Sequence, residues 1–156
     1  MQLNILFVCL GNICRSPMAE GIFKHLIETE GVSDCFKIDS AGTAGFHVGA
    51  PPDARMRDVA MSHGVKLNSS ARQFVPEDHK RFDYILAMDQ QNLEDIEMLG
   101  SGKAQVQLMR NYDTFPEDGN VPDPYYGGVE GFENVYQILE RSGRSFLKEL
   151  LRKYEI

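Results

Sequence analysis

The feature that most constrains the fold is a repeated alternation of short strand-like runs with amphipathic helical patterns. Runs typical of buried strands occupy residues 4–8, 36–39, 82–88 and 105–109. Helical patterns follow these runs at residues 16–31, 53–63, 90–99 and from Phe132 onward. Strands joined through helices pair in parallel, because each crossover returns the chain to the same end of the sheet. We therefore predict an α/β fold: one three-layer domain over residues 1–156, with a four-stranded parallel sheet and helices on both faces.

The predicted domain is doubly wound, with the flavodoxin-like arrangement of a parallel sheet between two helical layers. In such folds ligands bind where the carboxyl ends of strands meet helix N-termini. Two segments belong at that edge, namely the loop that begins at Cys9 and a loop rich in Pro, Asp and Gly at residues 111–131. The final helix has one apolar face, formed by Phe132, Val135, Leu139, Phe146 and Leu150.

Length and charge exclude several classes of protein and partner. The chain has 156 residues, of which 42% are hydrophobic and 25% are charged, as in a compact globular domain. Its formal net charge is −7, so the overall field repels nucleic acid and anionic lipid, and we expect neither as a partner. No apolar run approaches the ~18 residues of a membrane span. The odd number of cysteines, Cys9, Cys14 and Cys35, fits free thiols in a reducing compartment, and we expect a cytoplasmic protein.

Residues 9–17, between the first predicted strand and its helix, combine groups that suit phosphate binding. If the loop turns its backbone N–H groups inward, they form an anion nest at a helix N-terminus. Gly11 and Asn12 tolerate the positive φ angles that such a turn needs. Arg15 can offer a planar guanidinium to two phosphate oxygens. A dinucleotide or Walker-type site is a weak alternative, because the chain contains neither G-x-G-x-x-G nor G-K-[ST].

Cys9 stands at the floor of this loop and is a candidate nucleophile. A thiol that faces a helix N-terminus, inward N–H groups and an arginine is expected to ionise near neutral pH. The Ser16 hydroxyl can donate to that sulfur, and the same serine is a predicted N-cap with Pro17 at the first helical position. The spacing alone leaves a second interpretation open, in which Cys9 is a buried apolar residue and Arg15 a surface charge at a helix start.

Residues 8–20, with the sequence V-C-L-G-N-I-C-R-S-P-M-A-E, resemble the signature of the low-molecular-weight protein tyrosine phosphatases. Further segments resemble that family's blocks in the same order, at residues 39–43, 71–73, 82–85, 88–89 and 123–127. The resemblance implies an enzyme that hydrolyses phosphotyrosine and small aryl phosphates through a phosphocysteine intermediate, without a cofactor. It implies a phosphotyrosine-containing protein as substrate, with a tyrosine kinase as one candidate, and inorganic phosphate as product. The four histidines show no ligand spacing, so we predict no metal site.

The resemblance assigns the general acid to Asp123, which lies between two prolines. Local sequence alone favours an ordinary turn aspartate at that position. The resemblance also places Phe46, Tyr125 and Tyr126 in the walls of the substrate pocket. Either tyrosine can instead pack its loop onto the domain. Asp89 matches another aspartate of the family, although a helix N-cap is the simpler explanation.

Other residues of the loop and its surroundings shape the site according to the resemblance. Leu10 and Ile13 border the space above the phosphate. In relatives that act on phosphoarginine a threonine takes the place of Ile13, so the isoleucine favours phosphotyrosine. Asn12, in a left-handed conformation, is implied to be braced by Ser40. Some relatives carry a histidine where this chain has Ser70, so that further bracing contact is expected to be absent.

Cys14 lies close enough in the loop to react with an oxidised Cys9. The resemblance implies that the two cysteines form a reversible disulfide, which protects the nucleophile from over-oxidation. The alternative is that Cys14 is a small filler inside the loop.

Three rival functions are open at the level of sequence. A thioredoxin-coupled arsenate reductase shares the loop and the fold, but it relays electrons through cysteines in the middle of the chain, and none follows Cys35 here. A non-catalytic phosphotyrosine-binding module, or a structural partner of a tyrosine kinase, needs neither a nucleophile nor an acid. The joint presence of Cys9, Arg15 and Asp123 favours the enzyme.

Overall fold

The computed structural model describes residues 1–156 and contains a sheet of four parallel strands. The strands are β1 (Leu3–Cys9), β2 (Phe36–Gly42), β3 (Tyr84–Ala87) and β4 (Gln105–Leu108). They lie in the order β2-β1-β3-β4, so β1 is flanked by β2 and β3. This order confirms the predicted doubly wound α/β fold, in which the chain runs outward from β1 in both directions.

Five helices connect the strands or follow them. They are α1 (Arg15–Thr29), α2 (Ala54–Ser62), α3 (Asp78–Arg81), α4 (Gln90–Met98) and α5 (Val129–Lys153). Two 3₁₀ turns, Ser33–Cys35 and Met109–Tyr112, precede β2 and follow β4. Helix α3 has no counterpart among the predicted helices, because four residues are too few to show helical periodicity.

Strand β1 is buried on both faces, which makes it the centre of the domain. Ile5 and Phe7 pack in the larger apolar cluster with α1 and α5, whereas Leu6 and Val8 pack in the smaller cluster beside α4. All four side chains are 0% exposed. Each face of the sheet is therefore covered by a helical layer, as the near-continuous apolar run in β1 predicts.

The C-terminal helix α5 packs its predicted apolar face on the core. At most 1% of the surface is exposed for each of Phe132, Val135, Leu139, Phe146 and Leu150. The Phe146 ring contacts Phe23 of α1 with ring centroids 5.6 Å apart, which joins the two helices. None of the five helices has both the length and the apolar character that a membrane crossing needs.

The prediction that Ser16 caps α1 is wrong. The helix begins at Arg15, with Cys14 at the N-cap position and no side-chain cap. The Ser16 hydroxyl is turned into the loop instead, where its oxygen lies 3.0 Å from Cys9 Sγ. Pro17 falls in the first helical turn, where a missing N–H leaves no hydrogen bond unmade. The first N–H groups of α1 thus have no side-chain cap, an arrangement that suits a bound anion.

Candidate active site

The loop between β1 and α1 is wound around the sulfur of Cys9. The Asn12 N–H donates to Cys9 Sγ at 3.3 Å, and Ser16 Oγ lies 3.0 Å from the same sulfur. Cys9 is only 3% exposed, because it ends the central strand β1 beneath the loop. The sulfur therefore lies within hydrogen-bond reach of the loop, with the Asn12 N–H directed at it.

Asn12 fixes the shape of the loop from within. Its φ angle is 57°, in the left-handed region, and its side chain is buried. Nδ2 donates to Ser16 Oγ at 2.8 Å and to Ser40 Oγ at 3.0 Å, while Oδ1 accepts the Arg72 N–H at 3.0 Å. Ser70 is exposed and makes no hydrogen bond to this group. Three hydrogen bonds thus hold a backbone conformation that would otherwise be unfavourable.

Two glycines allow neighbouring segments to approach the loop closely. The expectation of a positive φ at Gly11 is wrong, since Asn12 alone in the loop adopts one. A Cβ at Gly11 would instead lie 3.0 Å from His47 Cδ2, so glycine there lets the His47 ring pack closely on the loop. A Cβ at Gly42 would lie 2.7 Å from the Leu10 carbonyl oxygen. The end of β2 therefore supports the loop through direct contact with its backbone.

Arg15 connects the loop to the segment that carries Asp123. Its side chain is 3% exposed, and Nη1 donates to Asp89 Oδ2 at 2.6 Å and to the Val121 carbonyl at 3.0 Å. Nη2 lies 3.6 Å from Asp123 Oδ2. Burial opposes the charge, but Cys9 and Asp89 outweigh it and raise the pKa of Arg15 above its ordinary value. The guanidinium is therefore charged and held in place.

Asp89 has two functions in the structure, of which the sequence indicates one. Its Oδ1 accepts the Asn92 N–H at 2.8 Å, which confirms the predicted N-cap of α4. Its Oδ2 accepts from Arg15, a residue far away in the sequence. An N-cap pattern contains no sign of this second contact, because it depends on how β1 and β3 pair.

Asp123 lies at the mouth of the site, where a proton can be exchanged with solvent. Its side chain is 42% exposed. Oδ1 accepts the Tyr125 N–H at 3.1 Å, so Oδ2 is directed toward Arg15. A carboxyl group between a buried guanidinium and solvent can both donate and accept a proton.

Cys14 is a buried thiol next to the nucleophile candidate. Burial, followed by the nearby Asp53, Cys9 and Asp123, raises the pKa of Cys14 to about 12. Cys14 therefore carries a neutral S–H group at neutral pH. All three cysteines of the chain are free thiols in this structure.

The pocket above Cys9 has an aromatic rim. Its volume is about 130 Å³, and Phe46 and Tyr126 at the rim are 77% and 94% exposed. Tyr125 is half-buried and lies under the Arg55 guanidinium, 5.4 Å from the ring centroid. His47 lies between two of these rings, with centroids 6.5 Å from Phe46 and 6.3 Å from Tyr125. The loop lines the pocket through Cys9, Leu10, Gly11, Ile13, Cys14 and Arg15.

His47, which lines the pocket, and Arg55, which contacts the pocket residue Tyr125, are not among the residues that the sequence predicts for the site. A lone histidine or arginine in a loop has no spacing that distinguishes it from other surface residues. No group of three or more His, Cys, Asp or Glu side chains is arranged to hold a metal ion. The pocket thus combines the buried thiols of Cys9 and Cys14, one buried guanidinium and one exposed carboxyl group.

Comparison with known proteins agrees with this arrangement. The family model described as low molecular weight phosphotyrosine protein phosphatase matches residues 4–155. The human low molecular weight phosphotyrosine protein phosphatase is 42% identical over 150 residues, which cover 94% of each chain. A crystal structure of a protein tyrosine phosphatase from Entamoeba histolytica, with Hepes in its active site, superposes with a TM-score of 0.94 at 39% identity and covers 98% of this chain and 99% of that one.

A Drosophila arginine phosphatase is also similar, with a TM-score of 0.90, 38% identity, and coverage of 96% of this chain and 98% of that one. Proteins with this fold thus include one named a tyrosine phosphatase and one named an arginine phosphatase. The family match extends from β1 through the loop of Cys9 and the segment of Asp123 to the end of α5. On this match, the chain belongs to the low molecular weight phosphotyrosine protein phosphatase family and is a protein tyrosine phosphatase.

Proposed function

We propose that Cys9 is the nucleophile of this phosphatase and that Asp123 is its general acid and base. The observation that supports this proposal most directly is the line of groups across the pocket. The Cys9 sulfur lies at the floor, Arg15 beside it, and the Asp123 carboxyl group at the mouth, 3.6 Å from the guanidinium. A phosphoryl group held in line between sulfur and carboxyl group has its leaving oxygen next to the acid.

In the first step the Cys9 thiolate attacks phosphorus, and the bond from phosphorus to the phenolic oxygen breaks. Asp123 gives its proton to that oxygen, so the products are phosphocysteine and a neutral phenol. In the second step water attacks phosphorus, Asp123 accepts a proton from the water, and the sulfur leaves as thiolate. The Ser16 hydroxyl, 3.0 Å from the sulfur, stabilises the departing thiolate. Inorganic phosphate is released.

Arg15 is proposed to hold the transferring phosphoryl group. Its Nη1 is occupied by Asp89 and Val121, whereas Nε and Nη2 make no hydrogen bond within the protein. These two groups form one edge of the planar guanidinium, which matches two phosphate oxygens. The N–H groups of the loop at residues 10–16 are proposed to bind the remaining oxygens, because a phosphoryl group that spreads its charge in the transition state is stabilised by preorganised donors.

The proposed substrate is phosphotyrosine in a protein, and a tyrosine kinase is one candidate protein. The rim formed by Phe46, Tyr125 and Tyr126 offers aromatic faces to a phenol ring. Ile13, half-buried in the loop, adds an apolar contact and no hydrogen-bond partner for a guanidinium. We further propose that residues 1–156 act as one phosphatase domain and that the protein works in the cytoplasm, where its free thiols stay reduced.

The proposal is tested with p-nitrophenyl phosphate, a phosphotyrosine peptide and phosphoarginine as substrates, in the presence of EDTA. We expect Cys9→Ser to abolish turnover and Asp123→Ala to lower kcat/KM for the peptide by roughly 10²- to 10⁴-fold. Cys35→Ser is the matched control, since this half-buried thiol lies outside the pocket, and it is expected to match the wild type. A wild type that binds phosphate without turnover would contradict the proposal, and faster turnover of phosphoarginine than of phosphotyrosine would contradict the substrate.

A further inference from the structure

A buried arginine behind the pocket has no part in the proposed chemistry. Arg110 lies in the 3₁₀ turn that follows β4, is 2% exposed, and does not line the catalytic pocket. A buried guanidinium is unfavourable unless its charge and its N–H groups are satisfied. The partners of Arg110 therefore indicate its role.

All side-chain hydrogen bonds of Arg110 go to the acid loop, which we define as residues 113–128. Nη1 donates to the Asn120 carbonyl at 2.8 Å and Nη2 to the Phe115 carbonyl at 2.6 Å. Nε donates to Asp113 Oδ2 at 3.0 Å. Two of the three acceptors are backbone carbonyls, so Arg110 fixes the path of the main chain itself.

Arg110 and Arg15 hold consecutive carbonyls of the acid loop. Arg110 binds the carbonyl of Asn120, and Arg15 binds that of Val121. The Val121 N–H also donates to the backbone just after β3 at 2.7 Å. Both carbonyls lie directly upstream of Asp123, which is flanked by prolines with restricted φ angles. The position of the carboxyl group therefore depends on both arginines.

In the acid loop, Val121 is packed in the apolar core, whereas its neighbours Asn120 and Pro122 border a cavity. A cavity of about 420 Å³ lies between the loop and α5, and its lining includes Arg110, Asn120, Pro122, Ile138 and Arg141. It has no lining residue in common with the catalytic pocket. Because side chains do not fill this cavity, the core contact of Val121 is supplemented there by the polar contacts of Arg110.

We propose that Arg110 is a positioning residue for the general acid: it holds the acid loop so that the Asp123 carboxyl group stays beside Arg15. The inference rests on the proposed role of Asp123. Without Arg110 the loop moves away from the pocket, while Cys9 and Arg15 keep their own contacts to β1, α1 and Asp89. The loss of activity then falls on substrates whose leaving group needs a proton.

Arg110→Gln tests this by comparing two leaving groups. Phenoxide requires protonation to leave, whereas p-nitrophenoxide is stable enough to leave with little help. Because phenol release comes with formation of phosphocysteine, kcat/KM reports this step for both substrates. We expect kcat/KM of the variant to fall about 10-fold or more for phenyl phosphate and less than about 3-fold for p-nitrophenyl phosphate. An equal fall for both substrates would overturn the inference.

Two further variants separate positioning from folding. Arg110→Lys keeps the positive charge near Asp113 but cannot reach both carbonyls, so it is expected to show the same selective loss in weaker form. If thermal unfolding shows that Arg110→Gln does not fold, the ratio of the two kcat/KM values is measured in Arg110→Lys instead. Arg141→Gln is the matched control, because Arg141 binds the same Asp113 and no loop carbonyl. It is expected to keep the wild-type ratio of the two kcat/KM values.

A double variant distinguishes failure of this inference from failure of the proposed function. If Arg110 acts only through Asp123, Arg110→Gln lowers kcat/KM no further in an Asp123→Asn background. An additive loss would mean that Arg110 acts by another route, and the inference would be wrong. If Asp123→Asn lowers kcat/KM equally for both leaving groups, the proposed role of Asp123 as general acid is refuted instead.

Discussion

Replacement of Asn12 by alanine perturbs the backbone strain and the hydrogen bonding of the phosphate loop together. Asn12 adopts φ 57° at a site that is 2% exposed. Its amide group makes three hydrogen bonds, to Ser16, Ser40 and the Arg72 N–H. Alanine at this position has no side chain to make any of them and keeps a Cβ in the left-handed region.

The expected destabilisation follows from these contacts. Each hydrogen bond contributes about 1 kcal/mol to the free energy of unfolding, and the half-buried Arg72 N–H is left without its acceptor. Alanine in the left-handed region costs about 1 kcal/mol more than asparagine, which tolerates that region. We therefore expect Asn12→Ala to lower the free energy of unfolding by about 4 kcal/mol and the Tm by roughly 10 °C.

Asn12→Gly is the matched control, because it loses the same hydrogen bonds without keeping a Cβ. Glycine adopts a positive φ without steric strain, although it loses more conformational entropy on folding. We expect this variant to be destabilised by about 3 kcal/mol, less than the alanine variant. In both variants kcat/KM falls, since the Asn12 N–H is no longer held against the Cys9 sulfur.

Urea unfolding monitored by circular dichroism, with kcat/KM for p-nitrophenyl phosphate, measures these effects. Asn12→Ala within about 1 kcal/mol of the wild type would refute the assigned hydrogen-bond contributions. A glycine variant no more stable than the alanine variant would refute the strain argument. Unchanged kcat/KM in both would show that the loop keeps its shape without the Asn12 side chain.

Three other predictions concern packing, reactivity and acid stability. Gly42→Ala places a Cβ 2.7 Å from a loop carbonyl, so it displaces the loop and is expected to lower kcat/KM about 10-fold or more. Gly128→Ala, whose Cβ meets no atom within 4 Å, is expected to leave kcat/KM unchanged. Because burial raises the pKa of Cys14 to about 12, iodoacetamide at about pH 8 is expected to leave Cys14 unmodified in the native protein. Peptide mass spectrometry measures this, and carbamidomethylated Cys14 would contradict the prediction. Burial opposes ionisation of Asp113, but hydrogen bonds led by that of Arg141 outweigh it and lower the pKa of Asp113. The stability that Asp113 contributes is therefore present above the ordinary aspartate pKa and is lost as the pH falls through the pKa of Asp113 in the folded protein. Arg141→Gln should therefore shift acid unfolding, followed by circular dichroism, to higher pH, and an unchanged midpoint would contradict this assignment.

The strands, the long helices and the loop at Cys9 could be predicted because their signals are local. The apolar run of β1 and the spacing of Phe132, Val135 and Leu139 in α5 depend only on neighbouring residues and on the period of each element. The same holds for the N-cap at Asp89. These features were therefore accessible from the order of residues alone.

The features that the sequence did not predict depend on contacts between distant segments. Arg15 meets Asp89 only because β1 pairs with β3, and Gly42 is required only because β2 ends against the loop. Contacts between distant or neighbouring segments also explain the two predictions that were wrong, the N-cap at Ser16 and the positive φ at Gly11. Ser16 does not cap α1 because its hydroxyl group is hydrogen-bonded to Asn12 and Cys9. Gly11 does not adopt a positive φ, and it makes room for the His47 ring instead.

The exposed aromatic rim has a consequence for how this enzyme can change. Phe46 and Tyr126 have most of their surface in solvent, so their replacement removes little buried apolar area and little stability. Cys9, Arg15 and Asn12 are buried, Asn12 donates to Cys9 and Arg15 donates to Asp89, so almost any replacement there disturbs both stability and chemistry. Substrate preference can therefore diverge between related enzymes by substitutions at the rim, while the reaction itself stays the same.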